Sequence, residues 1–336
     1  MSEKIRFWYP DRQYAAHKEE FDQAWEDTVS KGNLILREDV EEFEQKLAEF
    51  LNVKEVVSVA SGTDALILSL KACRIRQGDE VLVPSYTFRA TVEAVHHVGA
   101  KPVLYDLDGD YEHLLTKKTA AIIPCHLEGQ VWDDMKALTE FAKKHGFIVI
   151  EDAAQAIGTS VQGSTACYSF YPAKILGCFG DGGAIATNSK SLAEHLRKMR
   201  NHYKGDWGAG YGYNSRLDNL QAALLNVKLK YLPENLARRR KIARRYDKEL
   251  VGVGKPVERE IYQDYVITTP KRDDLHRFLE EKGIETMKNE YPFPSDLTKG
   301  AMTRSYEAYS LRIPCTPEHT DEEIGRVIEA INSYAG

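Results

Sequence analysis

Short, continuous apolar runs alternate with stretches whose apolar residues recur every three or four positions, the pattern of a mostly parallel sheet covered by helices on both faces. Val40, Phe43, Leu47 and Leu51 fall at helical spacing, and Glu55 to Val59 then reads as a strand. Ser61, Gly62 and Thr63 lead from it into a helix carrying Leu66, Leu68 and Leu70. Further strands are predicted at Glu80 to Val83, Pro102 to Tyr105, Ala120 to Ile123 and Phe147 to Ile150. Between the last two, Met135, Leu138 and Phe141 mark one face of a helix that Gly146 is placed to end with a left-handed cap.

The pattern changes near residue 225. A long charged helix containing LARRRKIARRYDKEL follows, then a strand at Tyr262 to Thr268 and a helix from Asp274 to Lys282 with Gly283 behind it. The last helix opens on Thr320 and Glu323 in capping-box spacing and carries Ile324, Val327, Ile328 and Ile331. The expected architecture is therefore α/β: a three-layer, mostly parallel large domain over 1–225 and a smaller α+β domain over 226–336. The basic run Arg238 to Arg245 has interleaved acidic neighbours and reads as a solvated helix face.

Composition narrows the function classes slightly. In 336 residues, 43% are hydrophobic, and 45 Lys and Arg stand against 51 Asp and Glu, a net charge of −6. That is enough apolar material for a sizeable core and argues against a surface built to neutralise nucleic acid. The five cysteines, Cys73, Cys125, Cys167, Cys178 and Cys315, are scattered with no CxxC pair, so no metal site is expected and each reads as a small buried hydrophobe. The polar start MSEKIRFWYP and the lack of an apolar run near about 18 residues predict no signal peptide and no membrane partner. A cytoplasmic location is the expectation.

Candidate chemistry concentrates in EDAAQAIGTS and CYSFYPAKILGCFGDGGAIATN. Asp152 is predicted at the carboxyl end of a strand, where open α/β sheets place their ligand crevice, and Gln155 follows three residues later. Ser169 ends the next apolar run. Lys174 sits in a turn between Pro172 and Gly177 with Phe170, Ile175 and Leu176 around it and few charges nearby in sequence. Apolar surroundings make such an amine easier to deprotonate, and hence a candidate nucleophile. Taken singly, each of these residues has an ordinary structural reading as a loop lysine, helix cap or turn former.

Their order changes those odds. SGTDAL, PSYTF, EDAAQAIG, SFYPAK with LGCFGDGGAIATN, and NSRLDNLQAALL run collinearly from Ser61 to Leu225. The set resembles the DegT/DnrJ/EryC1/StrS family of aminotransferases of fold type I, which use pyridoxal 5'-phosphate to aminate nucleotide-linked keto sugars. The resemblance implies that Lys174 joins the cofactor aldehyde as a Schiff base and later moves the substrate proton. Asp152 would face the pyridine nitrogen and keep it protonated. Gln155 would bond the ring's phenolic oxygen, Gly62, Thr63 and Ser169 its phosphate, and Phe88 would stack on the ring. Asn214 would reach the phosphate held by a neighbouring subunit, making the active site a property of a homodimer. An amino-acid donor, glutamate by resemblance, and a nucleotide-linked keto sugar are the implied partners.

Some residues stay open at this level. His126 of HLEGQ suits a cofactor contact or a structural hydrogen bond, and Arg216 suits a carboxylate ligand or a tie in the dimer. Departures from the family pattern lie at LILREDV after Asn33, where Leu36 and Arg37 replace small residues, and at YPFP, which SDLTK follows. The chain is also short for the family in DLDGDYEHLL and between Val251 and Tyr265. A trimmed pocket suits a smaller keto phosphate, the alternative substrate. A catalytically idle ligand sensor is the alternative from another class, and Lys174 speaks against the related dehydratases that carry histidine in its place.

Overall fold

The β-branched runs EVVSV, EVLVP and IVIED become strands that bury nearly every residue, as a sheet covered on two sides requires. The structure is a computed structural model and describes residues 4–293 and 297–335. Pro294, Ser295 and Asp296, within YPFPSDLTK, lie outside the described residues.

Seven strands form the main sheet: β1 Glu55–Val59, β2 Glu80–Pro84, β3 Lys101–Tyr105, β4 Thr119–Ile122, β5 Ile148–Asp152, β6 Thr165–Ser169 and β7 Gly183–Thr187. Their order is β1-β7-β6-β5-β4-β2-β3. β7 runs antiparallel to both of its neighbours, and the remaining pairs are parallel. The mostly parallel α/β fold expected from the periodicity is the fold observed, with strand ends displaced by one or two residues.

Alternation assigns the two faces. Ala166 and Tyr168 of β6 and Ala184 and Ala186 of β7 enter one core with Val40, Phe43 and Leu47 of the helix Glu38–Leu51. Cys167 and Ile185 enter the other, with Leu68 and Leu70 of the helix Gly62–Ala72 and Val92 and Val95 of Arg89–His97. Asn219 is fully buried at the first layer. Its Oδ1 accepts from the N–H groups of Arg37 and Val40, and its Nδ2 donates to the Asn33 carbonyl and to Asp39. The divergent LILR stretch is thus tied down where the helix Glu38–Leu51 begins.

A second, antiparallel sheet has the order β8-β10-β9, from β8 Tyr265–Thr268, β9 Met287–Lys288 and β10 Ser310–Ile313. The helices Arg272–Glu281 and Asp321–Ala335 share its core, and so does Ile5, whose backbone bridges to Ile284. The expected division at 225 and 226 falls inside the helix Asn219–Lys230. The basic run lies on the helix Leu232–Glu249, which sends Leu232 and Leu236 into the first core and Ile242, Ala243 and Tyr246 into the small one. Arg238 pairs with Asp321, Arg240 with Glu260 and Arg245 with Glu249. Buried Arg239 instead serves the carbonyls of Tyr262, Gln263 and Cys315.

The capping box forms as spaced. Thr320 Oγ1 accepts from Glu323 N–H, and Glu323 Oε2 accepts from Thr320 N–H. Both Glu323 oxygens also take the Arg12 guanidinium, and Oε1 takes the Tyr9 hydroxyl. Burial raises this carboxyl's pKa, but those donors outweigh burial and bring it down to about 2 from 4.5. A carboxylate depressed in the fold contributes stability above its unfolded pKa and loses it as pH falls through the folded value. Glu323→Ala is expected to cost roughly 2 kcal/mol at pH 7. In thermal melts the gap from wild type stays constant above about pH 5 and closes as the pH falls toward about 2.

Candidate active site

Beyond Ser169 the chain closes a tight loop in which Cys178 N–H donates to the Phe170 carbonyl and Lys174 N–H to that of Tyr171. Gly177 lies so close to the Pro172 carbonyl that no Cβ fits there. Ile175 and Leu176 plunge into the core and leave Lys174 half-buried above them. Its amine makes no hydrogen bond among the described residues. Burial lowers its pKa, Asp264 and Asp152 oppose that shift, and Arg312 adds to it. The expectation of few nearby charges is thereby corrected: Asp264 and Arg312 arrive from the small sheet, far away in sequence.

Asp152 is the last residue of β5, as expected. Its Oδ2 accepts from Thr91 Oγ1 at 2.7 Å and its Oδ1 from Ala154 N–H at 3.2 Å. No cation pairs with it among the described residues, so its charge is free to serve a ligand. Gln155 is buried, and its Oε1 accepts from Glu128 N–H at 2.7 Å, which leaves its NH2 as a donor.

The helix Gly62–Ala72 begins against the end of β6. A Cβ on Gly62 would lie 2.7 Å from Ser169 Cβ, so only glycine lets the helix start sit beside the Ser169 hydroxyl. Ser61 Oγ caps the helix by accepting from Asp64 N–H. The N–H groups of Gly62 and Thr63, at the positive end of the helix, and the Ser169 hydroxyl are donors of the kind that suit a phosphate. Phe88 precedes the helix Arg89–His97 with half its surface exposed, edge-on to Tyr291. It is not a core residue. Asn214 is exposed, its backbone bridged to Asn201.

His126 resolves as structural. Its Nδ1 accepts from Trp132 N–H, so its Nε2–H donates to Glu151, a buried carboxylate that also takes the N–H groups of Gln162 and Gly163. Arg216 donates to Asn201 Oδ1. Arg37 is exposed.

A polar cluster beside the lysine turn was not legible in sequence. Glu128, 3% exposed and at φ 58°, accepts from the Tyr86 hydroxyl, from Asn289 Nδ2 and from the Tyr306 hydroxyl. Arg312 donates to Asn289 Oδ1 and the Tyr291 hydroxyl and lies 3.5 Å from Asp264. A charged residue inside HLEGQ was the one available signal.

A lowered lysine, an unpaired carboxylate at a strand end and donors suited to a phosphate are the three fixtures that pyridoxal phosphate needs. Comparison with known proteins points the same way. The model of the DegT/DnrJ/EryC1/StrS aminotransferase family matches residues 15–332. The chain is 37% identical to a pleiotropic regulatory protein of Geobacillus stearothermophilus over 96% of both chains. It is 39% identical to a UDP-2-acetamido-2-deoxy-3-oxo-D-glucuronate aminotransferase of Pseudomonas aeruginosa over 84% of both. The crystal structure of Streptomyces venezuelae DesV in complex with a ketimine intermediate superposes with a TM-score of 0.93, at 35% identity and 99% coverage of each chain. With the family matched over nearly its whole length and the fold shared, the chain belongs to the DegT/DnrJ/EryC1/StrS family and is a pyridoxal-phosphate-dependent aminotransferase.

Proposed function

We propose that this enzyme aminates a keto group on a nucleotide-linked sugar, with glutamate as donor, and that Lys174 is its catalytic residue. The observation that carries the reading is the Lys174 amine, which makes no hydrogen bond among the described residues and is lowered in pKa by burial, in a turn that follows Ser169.

When bound, pyridoxal phosphate supplies an aldehyde that accepts an amino group and a ring that draws electrons from the reacting carbon. Lys174 Nζ would hold that aldehyde and, once released, would carry the proton taken from the substrate carbon, which its lowered pKa favours. Asp152 would keep the pyridine nitrogen protonated. Gln155 would donate its NH2 to the phenolic oxygen, and Gly62 N–H, Thr63 N–H and Ser169 Oγ–H would hold the phosphate. Phe88 would cover the ring. Asn214, exposed on a single chain, reaches the phosphate of the second subunit in a homodimer with shared active sites.

The substrate class draws support from the Pseudomonas relative's named activity. The test is amino transfer from glutamate to a panel of nucleotide-linked keto sugars and small keto phosphates. Turnover of at least one nucleotide sugar is expected. Turnover of keto phosphates alone would move the substrate to the smaller class, and a cofactor-loaded but inert protein would restore the sensor reading.

A further inference from the structure

Gln263, two residues before β8, is 8% exposed and turns its side chain to the lysine loop. Its Oε1 accepts from Ile175 N–H at 3.1 Å, and its Nε2 donates to the Ala173 carbonyl at 3.0 Å. One amide therefore satisfies the peptide groups on both sides of Lys174. These groups sit in a turn with no ladder to serve them, and among the described residues Gln263 is the partner each of them has. Its geometry matches: an amide offers one acceptor and one donor end, as the flanking N–H and C=O demand.

The glutamine is itself anchored. Its N–H donates to the Glu128 carbonyl at 3.1 Å, and its carbonyl accepts from the Arg239 guanidinium at 2.9 Å. The adjacent Asp264 acts on the Lys174 amine through its charge. A single short segment leading into the small sheet thus fixes the lysine's backbone, biases its proton and touches the loop that carries Glu128.

We infer that Gln263 is a positioning residue that clamps the peptides flanking Lys174 and so sets where its amine points in the cleft. The inference rests on the proposed role of Lys174, and its tests separate the two. Gln263→Met keeps the volume and removes both bonds. Hydrogen exchange by mass spectrometry, with and without pyridoxal phosphate, is expected to show the Ile175 amide exchanging about tenfold faster, the effect of one lost buried hydrogen bond. In the loaded enzyme kcat falls about tenfold, donor KM holds, and the pH at which the visible cofactor band titrates shifts, because a misplaced amine changes chemistry and not binding. Gln263→Glu, which keeps the acceptor and loses the donor, retains the Ile175 protection but not the kcat, and serves as the readout should the methionine variant fail to fold. Unchanged exchange at Ile175 overturns the clamp. Faster exchange with wild-type kcat and band titration reduces Gln263 to a structural role and overturns the inference as well. A visible band that survives Lys174→Ala overturns the reading of the lysine, whatever the exchange data say of the clamp.

Discussion

Lys174→Ala is expected to leave a folded protein without its visible cofactor band and with amino transfer reduced about 10²–10⁴-fold, the range for removing a group that relays the proton in the reaction. Both halves follow from the site. The amine makes no hydrogen bond among the described residues, and it stands half-buried, so truncation orphans no partner. Ile175 and Leu176 hold the turn in the core, and Gly177 keeps its tight approach to Pro172, without help from the lysine head. The melting temperature without cofactor should therefore stay close to wild type. The phosphate donors at Gly62, Thr63 and Ser169 are also untouched, so the variant still takes up cofactor, detectable by equilibrium dialysis. Lys174→Arg gives the same loss, because a guanidinium stays protonated and forms no such bond with an aldehyde. A variant that kept both the band and the turnover would move the chemistry to another amine.

The sequence made the large sheet plain because its strands are buried on both faces and therefore read as unbroken apolar runs. The small unit was less legible. The strand expected from Tyr262 starts only at Tyr265, because the Tyr262 and Gln263 carbonyls go to Arg239 and Gln263 N–H goes to Glu128 instead of to a neighbouring strand. Two-residue β9 has both side chains exposed, so no alternation marks it. In the site, Asp152 and Ser169 were placed by the ends of their apolar runs, and both stand at those ends. Asn289 and Arg312 had no local signature, and Glu128 had only its charge inside HLEGQ. Tyr86 and Asn289 are 203 residues apart and meet only when the small sheet docks beside β2 and β5. The charge around Lys174 was underestimated for the same reason, since a local window contains neither Asp264 nor Arg312.

Asp152→Asn separates the charge of this residue from its shape. The amide has nearly the same outline and can still accept from Thr91 Oγ1 or Ala154 N–H, so fold and cofactor uptake are expected to survive, with the visible band retained. What disappears is the negative charge that holds a proton on the pyridine nitrogen. Without that proton the ring withdraws electrons poorly, and kcat should fall on the order of 10²–10³-fold, the usual cost of deleting one preorganised electrostatic group. The neighbouring Cys125 thiol does not replace the charge. Burial pushes the Cys125 thiol well above its ordinary pKa, and Asp152 itself adds to that rise, so the sulfur stays neutral. A second signature follows from the lysine. Asp152 raises the Lys174 pKa, so removing its charge lowers that pKa further, and the limb of the pH–rate profile that requires an unprotonated Lys174 moves to lower pH. A loss of turnover with the limb unmoved would mean that Asp152 does not share the lysine's electrostatic environment. Wild-type turnover in the asparagine variant would mean that the ring nitrogen is served by another group.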